Sequence, residues 1–228
     1  MQSKIGMHRL IFPLLLLAIL PGVLAAGSNR AGPSPAELAA GSEVVVLAQL
    51  DRTNYEKRRG FAVSGSAWAR VLVSYKVPHP LDLVQIVEAG LGTDRCYFDD
   101  IVLWQEMPRF ILFLNADETG RYQGNRATCR LDVLVTADHR YAVRWPQPGL
   151  NLVDDELHLV LELEFQGPRA TIDASEMTST RRQDTMSRYY MADESDGRLR
   201  YTRGILLEDF RALLGAENLT RDRLKRGR

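Results

Sequence analysis

The chain has 228 residues, with 29 basic and 29 acidic side chains, and 45% of its residues are hydrophobic. That is the composition of a globular protein with a real core, and the lack of a basic surplus argues against a nucleic-acid binder. The two cysteines, Cys96 and Cys129, lack the Cys-x-x-Cys spacing of thioredoxin-type redox chemistry.

Residues 1–26 predict the compartment. Lys4 and Arg9 form a positive start, residues 10–20 are a compact apolar run, and residues 21–26 (PGVLAA) close it with a helix breaker and small side chains. This is the three-part pattern of a secretory signal peptide, and the run is shorter than the ~20 apolar residues of a relaxed membrane span. Cleavage is expected after Ala25 or Ala26. The exported chain is then periplasmic or secreted and meets a membrane only through the transient signal. In such a compartment Cys96 and Cys129 read as a disulfide, which closes a 33-residue separation and contributes about 3–4 kcal/mol on a loop-entropy basis.

Residues 27–33 are a small polar tether. Ser34, Pro35 and Glu37 then predict a helix start, with Ser34 as cap, Pro35 in the first turn and Glu37 completing a capping box. The helix should stop near Gly41. Residues 43–50 (EVVVLAQL) predict a buried strand, and residues 51–60 (DRTNYEKRRG) a polar hairpin loop. In residues 67–75 the alternation puts Ala69, Val71, Val73 and Tyr75 toward the core. Residues 83–87 form a further strand, ended by Gly90 and Gly92. Residues 110–114 (FILFL) are the most apolar stretch after the signal and are expected at the centre of the core. A turn at 115–120 follows, then a hairpin from 131–136 and 141–143. Residues 157–165 alternate as a half-buried strand with His158 on its wet face. Residues 171–197 are polar and predict a loop or linker, with Tyr189, Tyr190 and Met191 as an apolar island within it. Residues 205–214 predict an amphipathic helix with Leu206, Phe210, Leu213 and Leu214 on one face and Gly215 as its stop. The tail at 221–228 is basic.

The fold expected is all-β or β-rich α+β: a small antiparallel Greek-key barrel with a C-terminal amphipathic helix. The boundaries expected are a signal peptide at 1–26, a tether at 27–33, a barrel domain at 34–167, a polar loop or linker at 168–203, and the helix and basic tail at 204–228. The order of elements carries a resemblance. A signal peptide and a Ser-x-x-Glu helix precede EVVVLAQL. A strand ending in Val73, Ser74, Tyr75 and Lys76 follows, then LVQIVEAG, then Cys96 ahead of RFILFL. Over roughly residues 34–141 this resembles bacterial secreted proteins similar to the tissue-inhibitor-of-metalloproteinase or netrin-type module. The resemblance implies a five-stranded barrel of the oligonucleotide/oligosaccharide-binding (OB) type. Such inhibitors chelate the protease zinc through an N-terminal cysteine. The expected mature terminus here, Ala26 or Gly27, has no cysteine near it, so inhibition is not implied.

No catalytic motif is present. His79, His139 and His158 lack a near partner at zinc-site spacing. Asp99-Asp100 and the run from Asp154 to Glu156 lack the pattern and glycine of a calcium loop. Ser64-Gly65-Ser66 lacks the context of a nucleophile elbow. The chain is therefore expected to use no metal and no cofactor. The candidate binding surface is the basic-aromatic cluster of Tyr55, Lys57, Arg58 and Arg59, suited to an anionic partner. The function expected is a non-enzymatic exported module that binds a protein or an envelope component. The alternatives are a structural or assembly protein of the envelope, engaging a partner through residues 171–197 and the C-terminal helix, and an envelope hydrolase built on scattered residues.

Overall fold

A computed structural model describes residues 32–92, 94–98 and 107–220. The signal peptide, most of the tether, Asp99-Asp100 and the basic tail lie outside the described residues. The first half of the chain comprises α1 (Pro35–Ala40), β1 (Val44–Arg58), β2 (Phe61–Lys76), β3 (Leu83–Ala89), β4 (Arg109–Ala116) and β5 (Tyr122–Gly124). There follow β6 (Arg130–Thr136), β7 (Tyr141–Arg144), β8 (Leu161–Glu162), β9 (Phe165–Gln166), β10 (Thr171–Asp173), α2 (Ser179–Tyr189), β11 (Met191–Asp193), β12 (Arg198–Tyr201), β13 (Arg203–Leu206) and α3 (Leu207–Leu213).

The first five strands close on themselves as a barrel in the order β1-β2-β3-β5-β4, with β4 returning to β1. All contacts in the ring are antiparallel except β3 with β5, which run parallel at Ile86 and Tyr122. The interior is filled by Val44, Val46, Ala48 and Leu50 of β1, Ala67 and Ala69 of β2, Val84 and Ile86 of β3, Phe110, Leu112 and Leu114 of β4, and Tyr122. Successive side chains of a strand point to opposite faces. The other phase of β1 and β4, namely Val45, Leu47, Ile111 and Phe113, therefore lies outside the barrel. There it meets Leu38 of α1 and Phe210, Leu213 and Leu214 at the C-terminal helix in a second core. Burial on both faces is why EVVVLAQL and FILFL are continuous apolar runs.

Strand β4 belongs to both layers. One edge is taken by β1 along its length. The other is shared end to end, with β5 against residues 114–116 and β6 against residues 109–112. From β6 the sheet continues outward through β7 and β13 to β8. The C-terminal part is thus woven into the body: Thr220 N donates to Tyr75 O at 2.7 Å, and Val77 N donates to Thr220 Oγ1 at 2.8 Å.

The capping box is present as expected, with Ser34 Oγ accepting from Glu37 N and Glu37 reaching back to Ser34 N. The Cys96–Cys129 disulfide is also present, with Cα atoms 5.9 Å apart. It ties the segment after β3 to the segment between β5 and β6. Gly124 makes room for it, since a Cβ there would lie 2.5 Å from Cys96 Cβ and 2.6 Å from Cys129 Cβ.

Five expectations are corrected. Residues 205 and 206 are not helix but the end of β13, so the C-terminal helix starts at Leu207, and Leu206 packs with Leu134 and Phe165 while Phe210, Leu213 and Leu214 face the outer core. Residues 51–58 are not loop but the continuation of β1, paired with β2 to Arg58 and Phe61. On β2, register shifts opposite Val46 and Ala48 flip the alternation. Ala69 therefore faces the barrel interior and Tyr75 the outer core, while Val73 is exposed. Residues 157–165 are not one strand. A 3-10 turn at Asp154–Leu159, favoured by three acids in its first turn, is followed by the two-residue strands β8 and β9, so His158 sits on the turn.

The polar segment 168–203 is not a linker either. It folds as α2 with a three-stranded sheet, β10-β12-β11. That unit has a core of Ala174, Met191 and Leu199 backed by Met177, Met186 and Tyr189. The pair Arg182–Asp193 and the pair Arg200–Glu194 brace it.

Candidate functional site

The candidate residues lie on an arm. Past Gln49, β1 has left β4 behind; among the described residues the rest of the strand pairs only with β2. The two strands rise together and turn at Arg59 and Gly60, both left-handed with φ of 52° and 87°. That is the two-residue turn whose twist matches antiparallel strands, and glycine at the second position removes the steric cost. Open space surrounds Gly60, with nothing within 4 Å of where a Cβ would stand. Gly65 serves close approach instead: a Cβ there would lie 2.2 Å from Asn54 O.

The four candidates do not share one role. Lys57, Arg58 and Arg59 are exposed at the tip. Tyr55 is half-buried and turned toward the body. Its ring meets Tyr97 edge to face at 5.2 Å, and its hydroxyl accepts from Phe98 N at 3.3 Å. Tyr55 therefore fastens the arm to the disulfide-bearing segment, and the three cations stand free of that contact. Glu56 is the one carboxylate among residues 52–59. It sits 3.3 Å from Arg58 and accepts from Ser64 Oγ at 3.0 Å. Lower on the arm, the Arg52 guanidinium stacks over Trp68 at 4.3 Å. The arm carries four cations, and at its tip their charge is widely exposed to solvent.

Two polar clusters were not singled out from the sequence. Asp132 on β6 meets Arg144 on β7 at 2.7 Å and Arg169 at 2.6 Å, while Gln147 donates to the Asp132 carbonyl at 3.1 Å. Burial pushes the Asp132 carboxyl up, and the Arg144 and Arg169 guanidiniums more than offset this, holding it below its ordinary value. Arg144 also stacks on Tyr201 at 4.3 Å, so the cluster locks β6, β7 and β12 together. Glu88, buried at the end of β3, accepts from Gly124 N at 2.9 Å and pairs with Arg126 at 2.8 Å. It braces the barrel next to the disulfide. The sequence signal for both was a charged residue inside an apolar strand pattern, LVQIVEA for Glu88 and RLDVLV for Asp132.

Two of the histidines, His139 and His158, meet structural partners. His158 Nδ1 lies 2.6 Å from Asp155 O, and His139 Nδ1 lies 3.1 Å from Gln166 Nε2. Among the described residues no group of three or more metal-ligating side chains occurs. A depression of about 500 Å³ lies between Gly41, Ser42, Lys76 and Asn115. Its one cation, Lys76, already donates to Ala39 O at 2.8 Å at the end of α1.

Comparison with known proteins finds no matching family, no matching curated protein and no matching solved structure.

Proposed function

We propose that the protein is an exported, non-enzymatic binding module that recognises an anionic component of the cell envelope through the β1–β2 arm. The observation that carries this reading is the arm itself, a braced hairpin standing clear of β4 with Lys57, Arg58 and Arg59 exposed at its tip. The ring order β1-β2-β3-β5-β4 suits a barrel of the OB type, in which the loop joining the first two strands contributes to ligand binding. It also suits the proposed kinship with netrin-type modules. The Cys96–Cys129 bridge is compatible with an oxidising compartment outside the cytosol.

The test is retention of the exported chain on an isolated envelope fraction. Lys57→Ala with Arg58→Ala should weaken retention severalfold while leaving the circular dichroism spectrum and thermal midpoint in place. Equal retention of the folded double variant would remove the arm from recognition.

A further inference from the structure

We propose that the tip of the arm docks on an anionic phospholipid bilayer, with Phe61 and Leu91 entering the headgroup layer beside Lys57, Arg58 and Arg59. The proposal rests on the arm as the binding surface and names what it binds. It departs from the expectation that the chain meets a membrane only through its signal peptide.

Leu91 and Phe61, at 76% and 69% exposure, are the most exposed large apolar side chains among the described residues. They belong to one end of the barrel. Gly90 N donates to Val63 O at 2.8 Å, so the chain leaving β3 passes alongside the start of β2. Single exposed apolar residues are ordinary. Phe61 at the tip of the basic arm, with Leu91 on the chain that passes beside the start of β2, gives the combination that interfacial docking uses, apolar side chains at the acyl boundary and cations on the anionic headgroups. An acidic polypeptide would satisfy the three cations and leave Phe61 and Leu91 in water, whereas an anionic bilayer takes both.

The tip is also prepared for contact. Ala62, the second residue of β2, is buried. Tyr55 holds the opposite strand to Tyr97 and Phe98, and the open space at Gly60 lets the turn backbone lie close to headgroups. A braced hairpin loses little conformational freedom on docking.

The experiment is cosedimentation of the chain, as its cell exports it, with vesicles of phosphatidylglycerol and phosphatidylcholine and with vesicles of phosphatidylcholine alone. Binding to the anionic vesicles is expected, weakening as salt shortens the screening length. Lys57→Ala and Arg58→Ala should each lower affinity about fivefold. Phe61→Ser with Leu91→Ser, both at exposed positions and checked for unchanged folding, should lower it about tenfold. Equal binding to both kinds of vesicle overturns the proposal. So does anionic binding indifferent to the Phe61 and Leu91 changes. Failure to bind any vesicle, with retention on delipidated envelope protein still sensitive to Lys57→Ala and Arg58→Ala, overturns the lipid proposal and leaves the arm as a protein-binding surface. Failure of both assays removes both readings.

Discussion

Strand β1 contains two regions of opposite character. Its root, residues 44–50, is buried almost throughout, one phase filling the barrel and the other packed under α1 and α3. Its arm, residues 51–58, is exposed except for two half-buried positions and carries most of its charge near the tip. The backbone pairing with β2 is continuous across the two; what differs is the loss of β4 as second neighbour. One strand can therefore be structural at one end and available for recognition at the other, and substitutions in the two halves should separate stability from binding.

The largest stability effect is expected at the outer core shared by root and β4. Phe113 is fully buried, so Phe113→Ala should cost about 3–5 kcal/mol, read as a large drop in the urea midpoint. Replacing both cysteines with serine should cost about 3–4 kcal/mol. It should also loosen the arm, because Tyr55 is anchored on the segment that the bridge holds. Weakened envelope binding in that variant at a temperature where it stays folded would show this coupling, and unchanged binding would break it.

The Asp132 cluster tests the second layer independently of the arm. Asp132→Asn should cost about 1.5–3 kcal/mol at neutral pH through weakened charge-assisted bonds to Arg144 and Arg169. The folded carboxyl lies below its ordinary value. Its stabilisation is thus complete above the unfolded carboxyl range near ~4 and is lost as pH falls through the lower folded value. Denaturation midpoints measured downward from pH 5 should fall in the native chain and fall less steeply in Asp132→Asn. Parallel curves would contradict the role given to this carboxylate.

Gly124→Ala should cost about 1–3 kcal/mol by crowding the disulfide, measured by thermal denaturation of the oxidised chain. Smallest of all, Lys57→Ala with Arg58→Ala should change stability by no more than about 0.5 kcal/mol. A much larger loss would make the arm part of the fold's support and erase the contrast within β1.

The same contrast explains what the sequence could convey. The doubly buried root and β4 were legible because burial on two faces leaves an uninterrupted apolar run. The α1 cap and the disulfide were legible because each has a local or arithmetic signature. The arm reads as a loop in sequence because its strand character comes from pairing with β2, and no apolar alternation records that pairing. The exposure of Val73 is not legible in sequence because a register shift inverts the alternation and leaves no trace in composition. The unit formed by α2 and β10–β12 was hidden for a different reason. Its core rests on a few residues, chiefly Ala174, Met191 and Leu199, while its α2 helix buries no residue fully, so residues 171–197 look solvated throughout. Of the candidate site, the basic residues were visible. The anchoring role of Tyr55 and the placement of Phe61 and Leu91 by one end of the barrel depend on folding.

Amide hydrogen exchange along β1, with and without anionic vesicles, tests the division most directly. In the free protein, slow exchange is expected at residues 44–50 and faster exchange at residues 53–58. On adding vesicles, protection should rise at residues 55–63 and at Leu91 while the root stays as it was. Protection gained instead on α2 or the β7–β13 layer, with the arm unchanged, would contradict the assignment of recognition to the arm.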